Sequence, residues 1–161
     1  DEAERLHRES LAIHREIGFR QGEASSLNNL GIIVKTRGDL EGAERLYREC
    51  LAIHREIGFR QGEALSLSNL GYIARDQGDL AEAERLHRES LAIRREIGYR
   101  RGEAASLNNL GDIAKYRGDL AEAERLYRES LTIYREIAVR QGRANERRDR
   151  GEFASRWGHL S

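Results

Sequence analysis

An all-α solenoid of antiparallel helix pairs is the fold class this sequence predicts, and three observations carry the prediction. The first is a period. Leu27-Asn28-Asn29-Leu30-Gly31 returns as Leu67-Ser68-Asn69-Leu70-Gly71 and as Leu107-Asn108-Asn109-Leu110-Gly111, forty residues further on each time. A fixed period of roughly twenty to fifty residues marks stacked supersecondary units. The second is spacing: Leu27, Leu30, Ile33 and Val34 fall three and four apart, which gathers them on one helix face. The third is punctuation. Gly38-Asp39-Leu40, Gly78-Asp79-Leu80 and Gly118-Asp119-Leu120 each join a glycine, suited to a left-handed helix end, to an aspartate that can accept from the next helix's free amides.

Taken in order, residues 1–20 read as the second helix of a truncated repeat, because Asp1 to Ile17 copies Ala81 to Ile97 almost residue for residue. Leu6, Leu11, Ile13 and Ile17 form its apolar stripe, part of which is expected to be exposed without a preceding helix. Residues 21–60 form the first full repeat. Its first helix spans about Gln21 to Thr36, and its second carries Ala43, Leu46, Tyr47, Cys50, Leu51, His54 and Ile57 and stops at Gly58. Glu44 with Arg48 and Arg45 with Glu49 are spaced as ion pairs on a solvated face. Residues 61–100 and 101–140 repeat this plan. The small residues Gly31, Ala43 and Cys50 let paired helices approach closely. One unit alone buries too little apolar surface to offset its chain entropy, so the copies must stack, with stability a sum of unit and nearest-neighbour terms.

After Ile137 the pattern decays. Residues 141–161 read as a degenerate capping helix: Arg147 and Arg150 stand where the skeleton has leucines, and Phe153 and Ala154 are placed to cover the last unit. A frayed tail is the competing reading.

Composition narrows the function. Lys and Arg number 28 and Asp and Glu also 28, so no net charge favours nucleic acid or an acidic membrane. No apolar run is long enough for a membrane span and no signal-like segment opens the sequence, which makes a cytoplasmic protein the expectation. Cys50 stands where the other units have Ser90 and Ser130, as a small packing residue. With no proline, every bend must come from glycine and loop chemistry.

Leu27-x2-Leu30-Gly31-x2-Val34 followed by Ala43-x3-Tyr47 resembles the tetratricopeptide repeat, with leucine for the usual first aromatic and no terminal proline. The match recurs through Leu67, Leu70, Gly71, Ala74, Ala83 and His87, and through Leu107, Leu110, Gly111, Ala114, Ala123 and Tyr127. The unit is about six residues longer than the common version. The extra length is the Arg-Glu-Ile-Gly-Phe-Arg-Gln-Gly segment, a form similar to the repeats of kinesin light chains, Pins-type adaptors and many bacterial and archaeal signalling proteins. The resemblance implies a right-handed superhelix whose first helices line a concave groove, serving as a non-catalytic scaffold for peptides or partner proteins.

By that resemblance the groove positions are Asn28, Asn29, Ile32, Lys35 and Thr36, then Ser68, Asn69, Tyr72, Arg75 and Asp76, then Asn108, Asn109, Asp112, Lys115 and Tyr116. A ladder of Asn29, Asn69 and Asn109 would clamp an extended backbone, since an amide both donates and accepts. Lys35, Arg75 and Lys115 would add a line of positive charge suited to an acidic peptide. Alternatively, the asparagines bond neighbouring helices and the cations only meet water. The chaperone-tail ligand of some relatives is disfavoured, because its groove cations would fall on Asn28 and Asn109. His7, His14, His54 and His87 interchange with Tyr and Arg between units, which argues against metal binding. No cofactor motif or catalytic constellation stands out. Two other partner classes remain. The truncated ends could associate end to end as a homo-oligomer, and Arg140, Arg143, Arg147, Arg148, Arg150 and Arg156 beside Trp157 could touch nucleic acid, although Glu146, Asp149 and Glu152 interleave them.

Overall fold

Six glycines set the layout. Gly18, Gly38, Gly58, Gly78, Gly98 and Gly118 all take φ between 67° and 87°, a left-handed conformation that side chains resist, and each ends one helix and starts the next. The structure, a computed structural model, describes residues 2–157, with side chains described from 2 to 144. The helices are α1 (Glu2–Glu16), α2 (Arg20–Thr36), α3 (Leu40–Glu56), α4 (Arg60–Asp76), α5 (Leu80–Glu96), α6 (Arg100–Tyr116) and α7 (Leu120–Trp157). No strand occurs among the described residues. Packing is extensive between consecutive helices, with α2 on α3, α4 on α5 and α6 on α7 forming the pairs. This is the all-α solenoid of helix pairs.

The expected caps form. Asp39 Oδ1 accepts from the Gly42 amide at 2.7 Å, Asp79 from Glu82 at 2.9 Å and Asp119 from Glu122 at 3.0 Å. Leu27, Leu67 and Leu107 are buried along the inside of each pair. The small residues do what their size suggests: a Cβ on Gly31 would lie 2.6 Å from the Tyr47 ring, and one on Gly71 2.7 Å from His87. Cys50 fills the serine role chemically as well as sterically. Its thiol donates to the Ala24 carbonyl at 3.2 Å, where Ser90 donates to Ala64 at 2.8 Å and Ser130 to Ala104 at 2.9 Å.

The extra segment of each unit builds a joint that its sequence did not disclose. Glu23, Glu63 and Glu103 are buried at the start of α2, α4 and α6. Each is gripped from two sides: Arg55 Nε donates to Glu63 at 2.9 Å across the turn, and Arg60 Nη1 at 2.5 Å from the same helix. Arg15 and Arg20 hold Glu23, and Arg95 and Arg100 hold Glu103, in the same way. Each arginine then reaches on to the following second helix: Arg55 to Glu89 and Arg60 to Glu96, Arg95 to Glu129 and Arg100 to Glu136. Burial works to raise the Glu63 carboxyl, but the bonds from Arg55 and Arg60 outweigh it and hold it below the usual range.

At the far end the structure corrects the expected boundary at residue 140. Instead of a turn and a separate capping helix, α7 runs unbroken from Leu120 to Trp157. Two substitutions explain this. Ala138 replaces the positive-φ glycine of Gly18, Gly58 and Gly98, and Arg143 replaces the clamped Glu23, Glu63 and Glu103. A turn there would meet a side-chain penalty and would bring Arg143 towards Arg135 and Arg140, the counterparts of the clamping arginines. The covering role expected of Phe153 and Ala154, and the charges of Arg147, Arg148, Arg150 and Arg156, lie outside the described side chains.

Candidate functional site: the face of the first helices

Helices α2, α4 and α6 lie side by side, and their side chains bond across the two seams. Asn69 Nδ2 donates to Asn28 Oδ1 at 2.9 Å, and Lys35 Nζ pairs with Asp76 at 3.1 Å, joining α2 to α4. Tyr72 Oη donates to Asn109 Oδ1 at 3.1 Å, joining α4 to α6. The offsets of these partners, 41 residues for the first two pairs and 37 for the third, lie either side of the forty-residue repeat, which aligns like positions on adjacent helices.

Tyr72 is the hub. The Lys35 ammonium lies 5.3 Å from its ring centroid and the Arg75 guanidinium 5.5 Å, distances at which a cation is drawn to the ring's electron-rich face. Arg75 Nη2 also donates to Asp76 at 2.8 Å, so one carboxylate serves both cations. Burial tends to raise the Asp76 carboxyl, but the bonds from Arg75 and Lys35 prevail and hold it below its ordinary value. Beneath the hub lies His87, 1% exposed, its ring edge-on to Tyr72 at 5.2 Å and its Nδ1 3.4 Å from Asn109 Nδ2. Burial pushes the imidazole down to about 4.

Two of the three asparagines of the expected ladder bond neighbouring side chains. Asn69 is spent on Asn28, and Asn109 on Tyr72 and His87. Asn29 and Asn108, half-buried, make no side-chain hydrogen bond among the described residues. Ser68 is buried against Ser90, and Thr36 bonds its own helix at Ile32. Asp112 accepts from Tyr127 at 2.6 Å. The line of positive charge is also broken: Asp76 pairs two of its three members, while Lys115 is exposed with no ion pair among the described residues. Ile32 and Tyr116 present exposed apolar surface at 50% and 68%. Leu65, 46% exposed, was missed in the sequence. It sits one turn before Asn69 on the same helix face, and the signal for it is that Ser25 and Ala105 occupy its place in the other units.

His14, His54 and His87 serve packing. His14 and His54 bond Ser26 and Ser66 through Nδ1 at 3.2 and 3.0 Å, and Arg94 takes the same place against Ser106 at 2.8 Å. No cluster of metal-ligating residues occurs among the described residues, and no described helix is long and apolar enough to cross a membrane. A crevice of about 620 Å³ lies away from this face, between α3 and α5 over Leu67, Leu70 and Ala74. Its rim charges bond one another, as Arg48 with Glu44 and Arg85 with Glu82 do, so the first-helix face is the better candidate.

Known structures share this fold. BtubC (BKLC) from P. vanneervenii is similar at a TM-score of 0.75 and 26% identity over 84% of this chain, and the match spans 56% of that longer protein. A Podosopora anserina protein with nearly identical TPR-like repeats matches over 84% of this chain and 67% of its own length, at a TM-score of 0.68 and 20% identity. The TPR domain of Arabidopsis FLU matches at 0.67 and 20%, over 73% of this chain and 98% of that domain. No curated protein matches the sequence. The family model of the tetratricopeptide repeat fits residues 1–56 and 62–136, which together make up most of the chain, and with its spacing, small-residue contacts and stacked hairpins the protein belongs to the tetratricopeptide repeat family.

Proposed function

We propose that this chain holds an extended acidic peptide segment along the face of α2, α4 and α6. As a tetratricopeptide array it is a protein-interaction scaffold, and the scaffold reading assigns it no chemistry of its own. The observation that carries the finer reading is the Tyr72 hub: two cations from neighbouring first helices, Lys35 and Arg75, are fixed against one ring with their side chains 30% and 28% exposed. A cation held in place loses less side-chain freedom on binding than a free one. Around the hub, Asn29 and Asn108 offer amides for a peptide backbone, Lys115 adds a further charge, and Ile32, Leu65 and Tyr116 offer apolar contact.

Fluorescence anisotropy with a labelled oligoglutamate peptide tests the reading. The double variant Lys35→Glu with Arg75→Glu should weaken binding at least tenfold while the thermal melt stays cooperative. Undiminished binding would remove the groove as the site.

A further inference from the structure

The geometry points to Asp76 as a built-in stand-in for the ligand's carboxylate: at rest it occupies the Lys35 and Arg75 pair, and an acidic peptide side chain binds by displacing it. The inference rests on the groove reading above and adds the residue that sets its selectivity.

Three observations support it. The carboxylate is no requirement of the repeat, because Thr36 and Tyr116 hold the same position in the other units. Nor does it serve its own helix. Asp76 is the last residue of α4, where the carbonyl end of the helix dipole disfavours negative charge. What Asp76 does is bridge, at 3.1 Å to Lys35 on α2 and 2.8 Å to Arg75 beside it. All three side chains keep 28% to 30% of their surface in water, so a second carboxylate can approach the cations and Asp76 can swing out without a large desolvation change.

Such an exchange replaces one carboxylate by another, so the charge contact alone yields little net affinity. The resident group also has the advantage of being tethered, at an effective concentration that a free carboxylate does not match. A single acidic group should therefore fail to displace it. A peptide that adds contacts to Ile32, Leu65 or Tyr116 and to the amides of Asn29 and Asn108 should succeed. Asp76 thus raises the threshold for binding and turns a charge site into one that reads the neighbouring residues.

The test uses the full chain and two variants, Asp76→Asn and Asp76→Thr, the second restoring the residue that the first repeat carries at Thr36. Labelled oligoglutamate is titrated in low salt, with glutarate as a small competitor. Both variants should bind the peptide about tenfold more tightly than the parent, and glutarate should compete in the variants and not in the parent. Equal or weaker binding by both variants, with loss in Lys35→Glu/Arg75→Glu, would overturn the stand-in role and leave the groove reading intact. Absence of binding even in Asp76→Asn and Asp76→Thr would overturn both.

Discussion

Arg55 donates to Glu63 at 2.9 Å across the turn between α3 and α4, with the carboxylate buried and the guanidinium half in water. Removing the charge should therefore loosen the joint while leaving the helices intact. Glu63→Gln should lower stability in urea by about 2 kcal/mol, the scale of a charged hydrogen bond left short of its partner. Glu96→Gln, which removes an exposed partner of Arg60, should cost under about 0.5 kcal/mol. Equal losses would show that the buried carboxylate is not the centre of the joint.

The unbroken course of α7 should be reversible by two substitutions. Ala138→Gly with Arg143→Glu restores both the left-handed turn residue and the clamped carboxylate. Backbone NMR shifts at residues 138 and 139, the counterparts of Gly98 and Tyr99, should then leave the helical range. Persistence of helical shifts through 140 would assign the continuity to some other cause.

Gly71 faces His87, and a Cβ there would lie 2.7 Å from the ring. Gly71→Ala should destabilise the array by about 1 to 3 kcal/mol through overpacking. Gly142, with open space around its Cα, should behave in the opposite way. There, alanine should stabilise α7 by up to about 1 kcal/mol through helix propensity. A Gly71→Ala melt at or above that of the parent would refute the close contact.

Acid should weaken the fold through His87. Arg94, Arg75 and Asp112 face the buried ring, whose folded-state value is about 4 against 6.5 unperturbed. Above about pH 6.5 the ring is neutral folded or unfolded, and it adds no pH dependence. As pH falls from about 6.5 to 4 the unfolded chain takes up a proton that the fold refuses, so stability drops, by about 3 kcal/mol at most. His87→Tyr, the residue used at Tyr47 and Tyr127, should flatten that part of the pH profile. A profile unaltered by the substitution would clear His87 of the role.

The helices were legible because glycine and aspartate punctuate them at a fixed interval, and the Cys50 site because its counterparts are serines. The clamp escaped notice for a physical reason. Arg15, Arg20 and Glu23 sit among many charged residues spaced for pairing within one helix, and only the stacking shows that the two arginines share Glu23 and reach on to Glu49 and Glu56 on the next second helix. The candidate face was half legible. Its positions could be named from the repeat, but the repeat suggested like behaviour in every unit, whereas Asn69 and Asn109 bond different partners and Asp76 has no acidic counterpart. The departures from periodicity at Leu65, Tyr72 and Asp76 hold the local character of the site, and the clue to their importance was that they break the pattern.

Because every clamp, cap and serine bond joins residues at a constant offset, the protein can grow without new invention. Copying one forty-residue block, such as 64–103, into the middle of the chain would give each incoming arginine, glutamate and serine a partner already of the right kind at the right remove. Length is thus a freely adjustable property of this molecule. A longer descendant would extend the face of its first helices before any residue had to change.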